Sequence, residues 1–281
     1  MESLVSTEWL ANELGADDLR VVDATWLMGG EGRDAQAEYE AAHIPGAVFM
    51  DLANLADTTT DLPMMLPQPE KFASRMQSLG LGDGSRLVVY DNSPFRSSNR
   101  AWWMLRLFGA HAVAILDGGF AKWQAEGRPT ESGKPNVRHR HYTVFKDEAQ
   151  VRSKNQMLDL LQTKTEQIVD ARGTARFEGR EAEPRLGVHP GHMPGAKNLP
   201  FSNLYNPDGT WKRGDELRQA FNAVGVDPDQ PIAATCGSGM TATAIAFGAH
   251  LLGNDKVAVY DGSWSEWGAD ASTPKEIGAA A

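Results

Sequence analysis

Ala42-His43-Ile44-Pro45-Gly46-Ala47 returns later in the chain as Gly191-His192-Met193-Pro194-Gly195-Ala196. This recurrence decides the fold, because a duplicated unit has to be recognised before any local assignment is made. On the amino-terminal side, Arg20-Val21-Val22-Asp23-Ala24-Thr25 precedes the first copy as Gln167-Ile168-Val169-Asp170-Ala171-Arg172 precedes the second. On the carboxy-terminal side, Leu87-Val88-Val89-Tyr90-Asp91 answers to Ile232-Ala233-Ala234-Thr235-Cys236. Further on, Leu116-Asp117-Gly118-Gly119-Phe120-Ala121-Lys122-Trp123 answers to Tyr260-Asp261-Gly262-Ser263-Trp264-Ser265-Glu266-Trp267. The matches keep one order and nearly one spacing, so the chain reads as two domains of ordinary size, 1–130 and 154–281. The segment 131–153 between them is polar and contains Pro135, which predicts a linker on the surface.

Within each copy, short apolar runs alternate with helical patterns. The runs are Arg20–Asp23, Arg86–Tyr90 and Ala112–Leu116, then Gln167–Asp170, Pro231–Thr235 and Lys256–Tyr260. Helical spacing covers Pro69–Leu79, Arg100–Phe108, Asp215–Val224 and Thr241–Leu252. Continuous apolar strands between helices predict α/β domains, each a mainly parallel sheet flanked by helices. In such sheets ligands bind beyond the carboxyl ends of the strands.

The 281 residues carry 27 Lys and Arg against 37 Asp and Glu, a formal charge of −10, which disfavours a nucleic-acid partner. The one cysteine, Cys236, can form no internal disulfide and no cysteine-rich zinc cluster. The amino terminus lacks the basic start and apolar stretch of a signal peptide, and no run approaches the roughly 20 apolar residues of a membrane span. A soluble, cytoplasmic protein without membrane or nucleic-acid partners is expected.

Cys236 opens the loop Cys236-Gly237-Ser238-Gly239-Met240-Thr241, between a predicted strand and a predicted helix. Backbone amides left free at a helix start favour an anion at that point, and Gly237 and Gly239 allow successive amides to turn inward. The first copy has Asp91 at the matching position, so one copy reads as active and the other as silent. A cysteine phosphatase needs an arginine to close such a loop around the phosphoryl oxygens. Here position 242 is Ala, and neither Arg nor Lys occurs from Cys236 to Leu252. Sulfur transfer asks less of the loop, because inward amides can hold a persulfide anion. His189 and His192 lack a third ligand nearby, so no metal is expected, and His139 and His141 read as solvated.

The paired HIPGA and HMPGA motifs, the DGG and DGS turns before Trp-ending helices, and the CGSGMT loop resemble the two-domain rhodanese-like sulfurtransferases. The resemblance extends over essentially the whole chain. It implies two tandem rhodanese-like domains, the second with a catalytic cysteine that cycles between thiolate and persulfide, and no cofactor. Members that prefer thiosulfate carry basic residues in the loop, where this chain has Gly237 and Ser238. The uncharged loop, with Gly239, Met240 and Thr241 completing it, implies 3-mercaptopyruvate as the donor and a thiol, cyanide or reduced dithiol protein as the acceptor. The resemblance carries donor binding onto Arg176 and Arg185, and protonation of the departing enolate onto Ser238. It also points to Asp34 and His43 as contributors from the first domain, whereas Arg172 reads as structural. A thiosulfate sulfurtransferase, or a non-catalytic binding or sulfur-carrier protein on the same fold, are the alternatives.

Overall fold

The computed structural model describes residues 1–29 and 32–280. The chain divides into two compact units, one of residues 1–57, 66–147 and 207–210, the other of 58–65, 148–206 and the stretch from 211 to the C-terminus. The first contains strands β1 (Leu4–Val5), β2 (Leu19–Asp23), β3 (Val48–Phe49), β4 (Arg86–Tyr90) and β5 (Val113–Leu116). Its helices are α1 (Thr7–Glu13), α2 (Ala35–Ala41), α3 (Leu52–Leu55), α4 (Pro69–Ser78), α5 (Ser98–Leu107) and α6 (Gly119–Ala125). The second contains β6 (Val151–Arg152), β7 (Gln167–Asp170), β8 (Lys197–Asn198), β9 (Ile232–Thr235) and β10 (Val257–Tyr260). Its helices are α7 (Lys154–Thr163), α8 (Thr174–Phe177), α9 (Gly214–Asn222), α10 (Ala242–Leu251) and α11 (Ser263–Trp267).

The two sheets share one topology, β1-β5-β4-β2-β3 and β6-β10-β9-β7-β8, with every pairing parallel. Each central strand is buried on both faces, which is why it reads as an unbroken apolar run and not as an alternation. The chain-order crossing puts the end of β4 in one sheet, and of β9 in the other, at the centre of the carboxyl edge. Helix α10 is apolar nearly all round and buried along eight of its ten residues, so it is a core element and not an amphipathic cover. Its Gly248 admits Phe221 and Trp211, since a Cβ there would lie 3.3 and 3.5 Å from their rings. Among the described residues no helix is long and apolar enough to cross a membrane.

The repeated motifs perform the same structural work in each unit. The amide of His43 donates to the carbonyl of Glu131, whose own amide donates back to the His43 carbonyl, and His192 and Glu276 exchange the same two bonds. The indole of Trp123 donates to the carbonyl of Pro129 at 2.8 Å, and that of Trp267 to Pro274 at 2.9 Å. Both Trp rings are fully buried, each worth about 3 kcal/mol or less on area grounds, so these helices anchor the tail that follows them. Glu131, in the segment expected to be a linker, thus pairs with the first repeat.

Of the segment expected to be a plain linker, residues 131–147 lie against the first unit as a strap, while 148–153 belong to the second and supply β6. Asp83 accepts from the amide and hydroxyl of Thr143, at 2.8 and 2.7 Å, and its own amide donates to the carbonyl of His141. Tyr142 is buried edge-on to Phe72, and the amide of Asp147 donates to the carbonyl of Leu107. Gly80 and Gly82 make room for the strap, because a Cβ on either would come within 3 Å of it. The segment is polar, yet its backbone is held by hydrogen bonds that leave no apolar periodicity to read.

Candidate active site

Cys236 follows β9 directly, and the loop Cys236–Thr241 leads into α10 with Thr241 at the helix cap. The cysteine is 2% exposed. Its loop is fixed from the start of α11. The amide of Trp264 donates to the carbonyl of Cys236 at 2.9 Å, and the amide of Ser265 to that of Gly237 at 2.9 Å. The hydroxyl of Ser265 donates to the same Gly237 oxygen at 2.5 Å. Ser263 Oγ accepts from the amide of Cys236 at 3.2 Å and donates to the carbonyl of Tyr260 at 2.7 Å. The DGS turn is thus the clamp of the cysteine loop.

The two loop glycines do different things. Gly239 has φ +74°, a conformation that disfavours side chains. Gly237 does not, contrary to the expectation that both serve backbone angle; it instead clears space for Arg176, whose Nη2 would lie 3.2 Å from a Cβ at that position. Ser238, Met240 and Thr241 are buried with the loop, and among the described residues the Ser238 hydroxyl has no committed hydrogen bond.

Arg176 and Arg185 converge on this loop from the segment after β7. Arg185 Nη1 donates to Ser265 Oγ at 3.1 Å. Burial and then the nearby charge of Arg176 push the Arg185 guanidinium below its ordinary pKa, with Cys236 and Glu183 acting in the opposite sense. Arg176 pairs through Nη2 with Glu183, while its Nε is buried and without a hydrogen-bond partner among the described residues. Glu183 is 4% exposed and also accepts from Arg172 Nη1 at 2.7 Å. Arg172 is fully committed: it pairs with Asp170, donates to the carbonyl of Gly191 at 2.8 Å and lies 4.4 Å over the Trp264 ring. It is structural, as expected. Two like charges, one with an unsatisfied buried donor, stand beside an uncharged cysteine loop, and a planar carboxylate matches their forks.

The first unit shows what the same scaffold does without the sulfur. Asp91 follows β4, and its carboxylate accepts from the amides of Ser93 and Ser98, each at 2.8 Å. Ser98 is the first residue of α5, so the loop amides there are already taken up by a carboxyl group of the chain itself. The clamp differs too: the amide of Phe120 donates to the carbonyl of Asp91 at 3.0 Å as Trp264 does to Cys236, but Gly119 and Ala121 stand where Ser263 and Ser265 stand.

Asp34 and His43 belong to the first unit and their side chains are used there. Asp34 caps α2, accepting from the amides of Gln36 and Ala37 at 3.0 and 3.1 Å. His43 is buried, stacked on Tyr39 at 4.3 Å between centroids, with Nδ1 2.8 Å from the Tyr39 carbonyl. His192 repeats this against Phe177, at 3.8 Å, with Nδ1 2.9 Å from the Phe177 carbonyl. Sequence reasoning did not find Glu183, Ser263 or Ser265. The signal available was the difference between copies, Ser263 and Ser265 against Gly119 and Ala121. Among the described residues no cluster of His, Cys, Asp and Glu could hold a metal ion.

A model of the rhodanese-like domain matches residues 6–126 and 153–270. The chain is 41% identical to human 3-mercaptopyruvate sulfurtransferase, over 94% of this chain and 91% of that one. It is 42% identical to the thiosulfate sulfurtransferase of Cricetulus griseus, over 94% and 91%. The crystal structure of SseA from Escherichia coli, described as a 3-mercaptopyruvate sulfotransferase with the rhodanese fold, superposes with a TM-score of 0.86 at 38% identity, covering 94% of this chain and 99% of that one. With two matched domains, a clamped cysteine loop in the second and a carboxylate in its place in the first, the chain belongs to the rhodanese family of two-domain sulfurtransferases.

Proposed function

We propose that the protein is a 3-mercaptopyruvate sulfurtransferase. The observation that carries this reading is the pair Arg176 and Arg185 beside a loop with no charge of its own, one guanidinium retaining a buried, unpartnered N–H. A donor with one carboxylate and a keto oxygen fits two separate forks, whereas a compact dianion would be gripped by charges in the loop itself.

In the reaction, the Cys236 thiolate attacks the sulfur of 3-mercaptopyruvate while Arg176 and Arg185 hold its carboxylate and carbonyl. The carbon–sulfur bond breaks and its electron pair passes to the three-carbon fragment as an enolate. The proton on the donor thiol is relayed through the Ser238 hydroxyl to the enolate carbon, and pyruvate leaves. The transferred sulfur remains on Cys236 as a persulfide, its charge held by amides of the Gly237–Thr241 loop. A thiol, cyanide or a reduced dithiol protein then attacks the outer sulfur, which gives ping-pong kinetics. Asp34 and His43 act in this scheme by holding their own turn and helix. The compartment proposed is the cytoplasm.

Intact-mass spectrometry after incubation with 3-mercaptopyruvate tests the reading. One added sulfur atom, removed by cyanide and absent from Cys236→Ser, is the expected result; no pyruvate release would overturn it. A higher kcat/KM for thiosulfate than for 3-mercaptopyruvate would transfer the assignment to the thiosulfate enzyme.

A further inference from the structure

We infer that Ser265 is a positioning residue that couples the grip on the donor to the geometry of the cysteine loop. The inference rests on the proposed function and deepens it. Ser265 Oγ has a single proton, and the 2.5 Å contact to the Gly237 carbonyl takes it. Its lone pairs are then left to accept, and among the described residues the donor they receive is Arg185 Nη1 at 3.1 Å. The direction of the relay is therefore fixed: guanidinium to hydroxyl to loop carbonyl.

The same residue fills that carbonyl twice, since the Ser265 amide donates to it at 2.9 Å. A trans peptide directs its N–H away from its C=O, so pinning the Gly237 oxygen against α11 turns the Ser238 amide to the other face of the loop. One residue, 7% exposed, thereby sets an amide of the loop through its backbone and hydroxyl together, and through its hydroxyl alone the Arg185 fork, which this inference assigns to the donor carboxylate. Arg185 needs such an acceptor, because burial and the charge of Arg176 both oppose its own. A second observation points the same way independently: the silent copy has Ala121 at the matching place, and among the described residues it keeps of the clamp only the bond from the Phe120 amide to the Asp91 carbonyl.

The division of labour predicts which kinetic constant responds. Without the hydroxyl, the Ser265 amide still holds Gly237, so the loop persists, while Arg185 loses its anchor. Ser265→Ala is expected to raise KM for 3-mercaptopyruvate about tenfold and to change kcat less than about threefold, one tenfold step in affinity being what a lost charged hydrogen bond commonly removes. Mercaptoacetone, which has the keto group and thiol but no carboxylate, should react with wild type and Ser265→Ala at kcat/KM values within about threefold of each other. Ser265→Thr, which keeps the hydroxyl, should restore the wild-type KM. An unchanged KM in Ser265→Ala, equal losses with both donors, or failure of Ser265→Thr to rescue a folded protein would overturn the inference. Wild type that releases no pyruvate from 3-mercaptopyruvate would instead overturn the function on which it rests.

Discussion

Asp23 and Asp170 occupy the same place in the two copies, yet only one has a cation. Asp170 is paired with Arg172, whereas position 25, where the first copy would have that arginine, is Thr25. Burial accordingly pushes the Asp23 carboxyl up from 3.8 to about 6, against the hydrogen bonds from Thr25 and Tyr90 that favour its charge. A carboxyl raised on folding keeps its proton longer in the native state, so it is neutral to stability below pH 4 and subtracts progressively as pH rises to about 6. Above that the full penalty, on the order of 3 kcal/mol, applies. Asp23→Asn keeps an oxygen for the Thr25 amide and should stabilise the first unit by about that amount at pH 7.5. Urea unfolding at pH 4 and pH 7.5 checks it: the variant should gain at the higher pH and not at the lower. At the other copy, Cys236→Ser should keep the melting temperature and lose all detectable turnover.

Helices and strands impose their own constraint on the site. Because α11 is placed by its buried Trp264 and Trp267, the loop it clamps is set by packing as much as by its own glycines. Gly237→Ala meets no backbone strain but drives a methyl against the Arg176 guanidinium, so it should raise KM for 3-mercaptopyruvate about fivefold to tenfold with little change in melting temperature. Gly239→Ala, by contrast, forces a side chain into φ +74° and should destabilise by about 1 kcal/mol. Much of this scale was legible in the amino-acid order. The central strands β2, β4, β7 and β9 and the helices α4, α5, α9 and α10 lie within a residue or two of their apolar runs. The edge strands β1, β3, β6 and β8 are two residues each, too short to show a period. The cysteine loop was legible from its glycines and its place after an apolar run, whereas Arg176 and Arg185 were pointed to only by the family resemblance. The clamp was not, because it is made from carbonyls and amides that every sequence contains, and its serines look like ordinary helix starters.

At the scale of the whole molecule, duplication has produced two sheets of one topology with unequal loops. The inequality predicts stoichiometry: 3-mercaptopyruvate should load one sulfur atom per chain and not two, and Asp91→Cys should not raise that number, because Gly119 and Ala121 stand where the second unit has Ser263 and Ser265, and Arg33, which meets the first loop at the Asn92 carbonyl, is already paired with Glu38. Intact mass of Asp91→Cys after donor treatment measures this directly, and a second cyanide-removable sulfur atom would refute it. The carboxylate of Asp91 has a further meaning. Its oxygens occupy the loop amides at all times, where the second unit would occupy its own for only part of each cycle. The resting first unit is a likeness, in carbon and oxygen, of its sibling caught mid-turnover.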